Sequence, residues 1–222
     1  MVLPEVYHWR PLLTSRLSGA FPGLAASMPE PECLLVPPEP TFAPPRSAVF
    51  WITGLSAAGK TTIGRGLADR LRVLGRPVLY LDGDVLRSIV AGGDRYSRAD
   101  RLDLAHRYGR LCREAASQGI DVVCATISMF DAVRAWNREH IPGYCEVYLR
   151  VPIEELKRRD TKDVYRNTTD VVGLDLAPEL PKKPDVLIDN FADMTPARAV
   201  RTILESAAIP AGTLGAWPPP ST

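Results

Sequence analysis

Gly54-Leu55-Ser56-Ala57-Ala58-Gly59-Lys60-Thr61-Thr62 fills every fixed position of G-x-x-x-x-G-K-[ST], directly after the apolar run Ala48-Val49-Phe50-Trp51-Ile52. Ile63, Leu67 and Leu71 follow at helical spacing, with Arg65, Asp69 and Arg70 between them. A strand, a glycine-bearing turn and a helix in that order form an anion trap. Successive backbone N–H groups converge on a phosphate chain, and the helix adds its unpaired first-turn donors and the positive end of its dipole. Gly54, Ser56, Ala57, Ala58, Gly59, Lys60, Thr61 and Thr62 are therefore the expected contacts to a nucleoside triphosphate. Lys60 reaches the β- and γ-phosphates, and the Thr61 hydroxyl is a ligand for Mg²⁺.

The flanking chain says how many such units to expect. From Ser47 onward, short runs rich in Val, Ile and Leu alternate with helical patterns. Strands are expected at Ala48–Thr53, Val78–Leu81, Val122–Ile127, Glu146–Val151 and Asp185–Ile188. Helices are expected near 60–74, 84–91, 98–118, 131–140, 153–160 and 196–207. Apolar strands separated by helices predict an α/β fold of three α/β/α layers around a mostly parallel five-stranded sheet. The expected kinase-type domain spans residues 47–209. Ten of the 21 prolines fall within residues 1–46, so that extension is read as irregular, and residues 210–222 as a flexible tail. Met28 is left open as an alternative start.

Composition narrows the partners. A net charge of +1 from 27 basic and 26 acidic residues, with no basic block, argues against a nucleic-acid surface. The four cysteines lack zinc spacing and form no C-x-x-C pair, which fits a reduced, cytoplasmic protein. No apolar stretch approaches the ~18 residues that would cross a bilayer, so no membrane partner is expected.

In a parallel sheet, ligands gather beyond the carboxyl ends of the strands. The second strand ends in Asp82-Gly83-Asp84, with Arg87 three residues on. The third ends in Thr126-Ile127-Ser128, and the fourth leads to Arg158-Arg159-Asp160-Thr161-Lys162. Phosphoryl transfer needs a metal, charge neutralisation and a group that orients the attacking hydroxyl. Asp82 and Asp84 suit those tasks, Asp82 also as a metal ligand; the alternative for Asp84 is a helix cap. Arg87, Arg101 and Arg107 are candidates for an anionic acceptor, with Arg101 and Arg107 expected to share a helix face. Ser97 with Asp100 reads as a capping box that opens the long helix. The stretch 157–166, including Arg159 and Lys162, reads either as a flap closing on phosphates or as a solvated helix end.

Taken together these residues resemble the adenylylsulfate kinases, P-loop kinases that phosphorylate the ribose 3′-hydroxyl of adenylylsulfate. The matching pieces are Gly54 to Thr62, Leu81-Asp82-Gly83-Asp84 with Arg87, Tyr96-Ser97 with Asp100-Arg101, and Ile127-Ser128. Glu146-Val147-Tyr148, Arg159-Asp160 with Lys162 and Tyr165, Gly173 and Pro184 continue the match, which covers about residues 48–190. The resemblance implies a P-loop NTPase-type fold, ATP with Mg²⁺, a homodimer, and Lys60, Asp82, Asp84 and Ser128 in the catalytic machinery. It also implies Tyr96, Arg87, Arg101, Ile127, Ser128, Lys162, Val172 and Gly173 around the acceptor nucleotide.

Departures fall mostly on the acceptor side. The family usually has Gly at Ala57, Asn at Leu104, Pro at Met129, and Phe-Thr where Val171-Val172 stand. That Phe and the aromatic at Tyr96 would hold the adenine between them. Two acceptors therefore remain open, adenylylsulfate and another nucleotide such as cytidine diphosphoramidate. A non-catalytic nucleotide-binding module is a third reading, opposed by the presence of Lys60, Thr61, Asp82 and Asp84. Stacking contributes about 1–3 kcal/mol per base. Val171→Phe should therefore tighten adenylylsulfate binding about tenfold in a direct titration, and unchanged affinity would refute the missing-ring argument.

Overall fold

Strands form where β-branched and apolar residues run together, and each is followed by a segment whose apolar positions recur at helical spacing. In the computed structural model, which describes residues 47–90, 97–160 and 178–209, the order is β1 (Val49–Thr53), α1 (Lys60–Val73), β2 (Val78–Asp82), α2 (Gly83–Val90), α3 (Arg98–Ser117), β3 (Asp121–Ala125), α4 (Asp131–His140), β4 (Tyr144–Arg150), α5 (Ile153–Arg159), β5 (Val186–Asp189) and α6 (Pro196–Ser206). The sheet runs β2-β3-β1-β4-β5 with every pairing parallel. This is the expected three-layer α/β/α arrangement. Residues 1–46 and 210–222, and the expectations attached to them, lie outside the described residues.

Period-two alternation in the central strand builds both layers. Phe50 and Ile52 enter one core with Ile63, Leu67 and Leu71 of α1 and Val200, Ile203 and Leu204 of α6. Val49 and Trp51 enter the other, with Leu86 of α2, Ala105, Tyr108 and Cys112 of α3 and Val133 of α4. The edge strand β2 departs from the expectation of strands covered on both faces. Val78, Leu79 and Tyr80 are only half-buried, because nothing pairs beyond it among the described residues.

Helix boundaries differ from the expected ones by a residue, within the fraying of any helix end. Every strand differs from its expected bounds by one or two residues, β1 starting at Val49 and β2 ending at Asp82, and three of the shifts have identifiable reasons. β3 stops at Ala125, not Ile127, because the Thr126 and Ser128 hydroxyls bond each other at 2.8 Å and the chain leaves the ladder there. β4 starts two residues early, after a turn whose Gly143 sits at φ 71°. β5 runs Val186–Asp189 because Asp185 bonds sideways to Arg138 and to the Glu146 amide. The α3 cap forms as read: Ser97 Oγ accepts from the Asp100 amide at 3.1 Å. Helix α6 begins with Thr195 as its cap and Pro196 in the first turn, where a missing N–H does no harm.

Helices α3 and α4 approach closely at Gly109. A Cβ there would collide with Asn137 Oδ1 and lie 3.3 Å from the Trp136 ring. Glycine inside a helix costs about 1 kcal/mol relative to alanine, so Gly109→Ala would help an isolated helix. Asn137 is fully buried and cannot step aside, and overpacking of this kind costs about 1–3 kcal/mol. The expected net result is a protein less stable by up to about 2 kcal/mol in urea unfolding. A stabilised variant would show that the two helices can separate freely.

Candidate active site

The loop after β1 carries the strain an anion cradle needs. Ala57 (φ 59°) and Gly59 (φ 88°) are both left-handed, so the peptides around Ala58 alternate in direction. For alanine that region costs about 1–2 kcal/mol. Gly54 has no room for a side chain, since a Cβ would sit 2.9 Å from the Leu149 carbonyl. Gly59 begins α1 without a side-chain cap, and no acidic residue occupies the first turn. The first-turn donors therefore face a site of positive potential.

A cleft of about 620 Å³ opens above this loop at the carboxyl ends of the strands. Ser56, Ala57, Gly59, Lys60, Thr61 and Thr62 form one end. Asp82 and Asp84 stand beside them, and Arg87, Arg98, Arg101, Ile127 and Ser128 line the rest, together with Arg159 and Asp160 from the end of α5. Lys60 Nζ donates to the Leu55 carbonyl at 2.7 Å, which holds the ammonium over the loop.

Asp82 is held from three sides. It accepts from Thr61 Oγ1 at 2.9 Å, from the Tyr80 hydroxyl at 3.0 Å and from the Asp84 amide at 3.0 Å. Burial alone would push its pKa up. The bonds from Asp84, Thr61 and Tyr80, aided by the nearby Arg65, outweigh that and hold it below the usual carboxylate range. Burial, then the Asp82 charge, pushes the Tyr80 phenol well up, so it stays a donor. A hydroxyl and an ionised carboxylate side by side beside the cradle offer the hard oxygen ligands that Mg²⁺ prefers.

Several expected residues stand elsewhere. Arg107 is solvent-exposed and paired with Asp103 at 2.8 Å, away from the cleft. Six residues at about 100° each leave it about 120° around α3 from Arg101, so the two do not share a face. Leu104 and Tyr108, three and seven residues from Arg101, do share its face and line the cleft. Gly54 and Ala58 pack behind the loop and do not line the cleft, so their contribution is to its shape. Tyr96, Lys162, Val172 and Gly173, and the flap beyond Asp160, lie outside the described residues. Arg159 is anchored, its Nε donating to Glu155 at 2.6 Å and Nη1 to the Asn190 carbonyl at 2.9 Å.

Sequence reasoning passed over Tyr80, Arg98, Tyr108 and Asn190. Tyr80 was readable, since it lies two residues before Asp82 on the same strand face. Arg98 pairs with Glu179 and lies over the Phe130 ring at 5.5 Å, contacts from distant chain that no local pattern announces.

With this geometry in place, the comparisons with known proteins become specific. The sequence profile of the family described as Adenylylsulphate kinase matches residues 46–189. The chain belongs to that family. It is 34% identical over 166 residues to the cytidine diphosphoramidate kinase of Campylobacter jejuni subsp. jejuni serotype O:2, covering 72% of this chain and 96% of that one. To the adenylyl-sulfate kinase of Synechococcus sp. (strain JA-2-3B'a(2-13)) it is 36% identical over 156 residues, covering 68% and 89%. Its fold is similar to the solved structure of the Mycobacterium tuberculosis APS kinase CysC in complex with AMPPNP and APS, with a TM-score of 0.69, 27% identity, and coverage of 74% and 99%. A kinase-type phosphotransferase acting on a hydroxyl group is thereby established.

A carboxyl held below its unfolded value contributes stability that is complete above the unfolded pKa, about 3.9, and is lost as pH falls through the folded value. Asp82→Asn removes that titration. Between about pH 7 and about pH 3 the parent chain should lose more unfolding free energy than Asp82→Asn in paired urea titrations. Equal losses would mean that the bonds to Thr61, Tyr80 and Asp84 do not hold the carboxylate in solution.

Proposed function

We propose that the chain transfers the γ-phosphoryl group of ATP to the ribose 3′-hydroxyl of adenylylsulfate, giving 3′-phosphoadenylylsulfate. The observation that carries this reading is a cleft that joins the phosphate loop, Asp82, Asp84 and Asp160, and four arginines. The loop amides and Lys60 would take the β- and γ-phosphates, Lys60 exchanging the Leu55 carbonyl for phosphate oxygens. Thr61 and Asp82 would hold Mg²⁺, which supplies charge neutralisation on the phosphate oxygens when bound. Asp84 follows the metal-side carboxylate on the next turn of chain and is assigned to the attacking hydroxyl. The hydroxyl oxygen forms the new P–O bond, the β–γ bridging bond breaks to release ADP, and the hydroxyl proton passes to Asp84. Arg87, Arg98 and Arg101 match a sulfate or phosphate of the acceptor, with Ser128 beside them. A homodimer and a cytoplasmic location belong to the same proposal. No helix among the described residues is long and apolar enough to cross a membrane.

A second acceptor is favoured by one specific feature. Leu104 and Met129 line the acceptor half of the cleft, where the family usually presents Asn and Pro. An aliphatic wall without an amide cannot read a base edge by the usual hydrogen bonds. Cytidine diphosphoramidate, the compound named in one of the relatives, is the alternative.

Incubation with Mg·ATP and each acceptor separately, followed by product mass and kcat/KM, decides between them. The expected outcome is a phosphate gained by adenylylsulfate with the higher kcat/KM. Phosphorylation of the cytidine compound alone would overturn the first reading, and phosphorylation of neither would overturn both.

A further inference from the structure

Asn190, the first residue after β5, is buried at 8% exposure and lies behind the phosphate loop, outside the cleft wall. Its Nδ2 donates to the Ala58 carbonyl at 2.9 Å across 132 residues of sequence. Its backbone is fixed from both sides: the amide donates to the Arg150 carbonyl at 3.0 Å, and the carbonyl accepts from Arg159 Nη1 at 2.9 Å. The approach is close enough that a Cβ on residue 59 would stand 2.6 Å from Nδ2. Glycine at that position therefore serves two ends, a left-handed φ and a passage for the asparagine amide.

In a planar trans peptide the C=O and N–H point in opposite directions. An Ala58 carbonyl drawn backward onto Asn190 turns the N–H of the same unit, which belongs to Gly59, forward. Gly59 lines the cleft, whereas Ala58 does not. Without that anchor the unit can turn about ψ of Ala58 and φ of Gly59, and glycine on the second side has no Cβ to oppose the turn. We infer that Asn190 is a positioning residue for the donor nucleotide: it sets the direction of the Gly59 amide so that the N–H meets a phosphate oxygen. The inference rests on the loop being a polyphosphate cradle and is independent of which acceptor is used.

Three measurements on the full chain test it. Calorimetric titration with Mg·ATP and with tripolyphosphate, which lacks base and sugar, should show about a tenfold loss of affinity for both in Asn190→Ala, the effect of one well-placed hydrogen bond to a charged group. The acceptor KM should stay within about twofold, because the Arg159 contact uses the backbone carbonyl that the variant retains. Asn190→Leu restores the volume without the donor and should bind both ligands as weakly as the alanine variant. In the unmodified protein the Gly59 amide proton should move downfield in the NMR spectrum when tripolyphosphate is added. Wild-type affinity in either variant, a loss confined to ATP, or an unmoved Gly59 resonance would overturn the assignment. If the unmodified chain binds no tripolyphosphate, the cradle reading itself fails, which separates that error from a misassigned asparagine.

Discussion

Strand β1 has a parallel neighbour on each side and a layer of helices on each face, and each of its residues is fully buried. Its register is consequently fixed by packing on both faces and by hydrogen bonds to both edges. Whatever leaves its carboxyl end is placed with the same precision. That end is the phosphate loop, and the neighbouring ladders deliver Asp82 from β2, Ser128 beyond β3, Arg159 beyond β4 and Asn190 beyond β5 to the same rim. The Thr61–Asp82 bond closes this arrangement, because it ties the first turn of α1 to the tip of a strand that is paired on one side only among the described residues.

The turn after β1 and its place at the cleft were legible in the sequence for a physical reason. A phosphate chain is gripped by consecutive backbone amides, so its recognition is written in nine consecutive residues. The strand and helix types were legible because the buried strands are apolar on both faces and the helices carry one apolar stripe. What was lost required three-dimensional information. Arg107 was misplaced by treating a separation of six as one helix face, when three, four and seven are the spacings that align. Asn190 could not be found at all, since a single asparagine after a short strand forms no local pattern and the partner of its side chain lies 132 residues away. Glu146 opened a strand read as apolar and Asp121 stood just before another, and neither pattern disclosed that both are buried and ion-paired with arginine.

The charges around Glu146 show how a structural cluster reaches the site. Burial pushes this carboxyl up, although Arg134 and Arg138 oppose the shift. Arg138 also grips Asp185 at 2.9 Å, and Arg134 donates from Nη2 to the Glu179 carbonyl at 2.6 Å. A buried ion pair of this kind adds little stability over an apolar pair, but it leaves a costly unpaired charge if the geometry slips. Its effect here is positional. It locks α4 to β4 and to the chain returning at 178–185, and Pro178 and Phe130 on those segments line the cleft. The wall opposite the phosphate loop is thereby held by charge pairing, where the loop itself is held by backbone geometry.

That difference explains why the two halves of the site can vary separately. Every nucleoside triphosphate presents the same polyphosphate, so in the proposed reading the loop, Lys60, Thr61 and Asp82 would answer to one fixed shape. In the proposed reading the acceptor presents a base and an anionic group whose spacing differs between compounds, and the residues assigned to it sit on α3 and the loop after β3. Leu104 and Met129 can change there without touching the β1–α1 turn, since neither shares a hydrogen bond with it among the described residues. A family whose chemistry is fixed at one end and open at the other can therefore acquire a new acceptor through side chains alone. The arginines Arg87, Arg98 and Arg101 restrict that freedom, because three guanidinium groups at one end of a cleft demand an acceptor that carries negative charge.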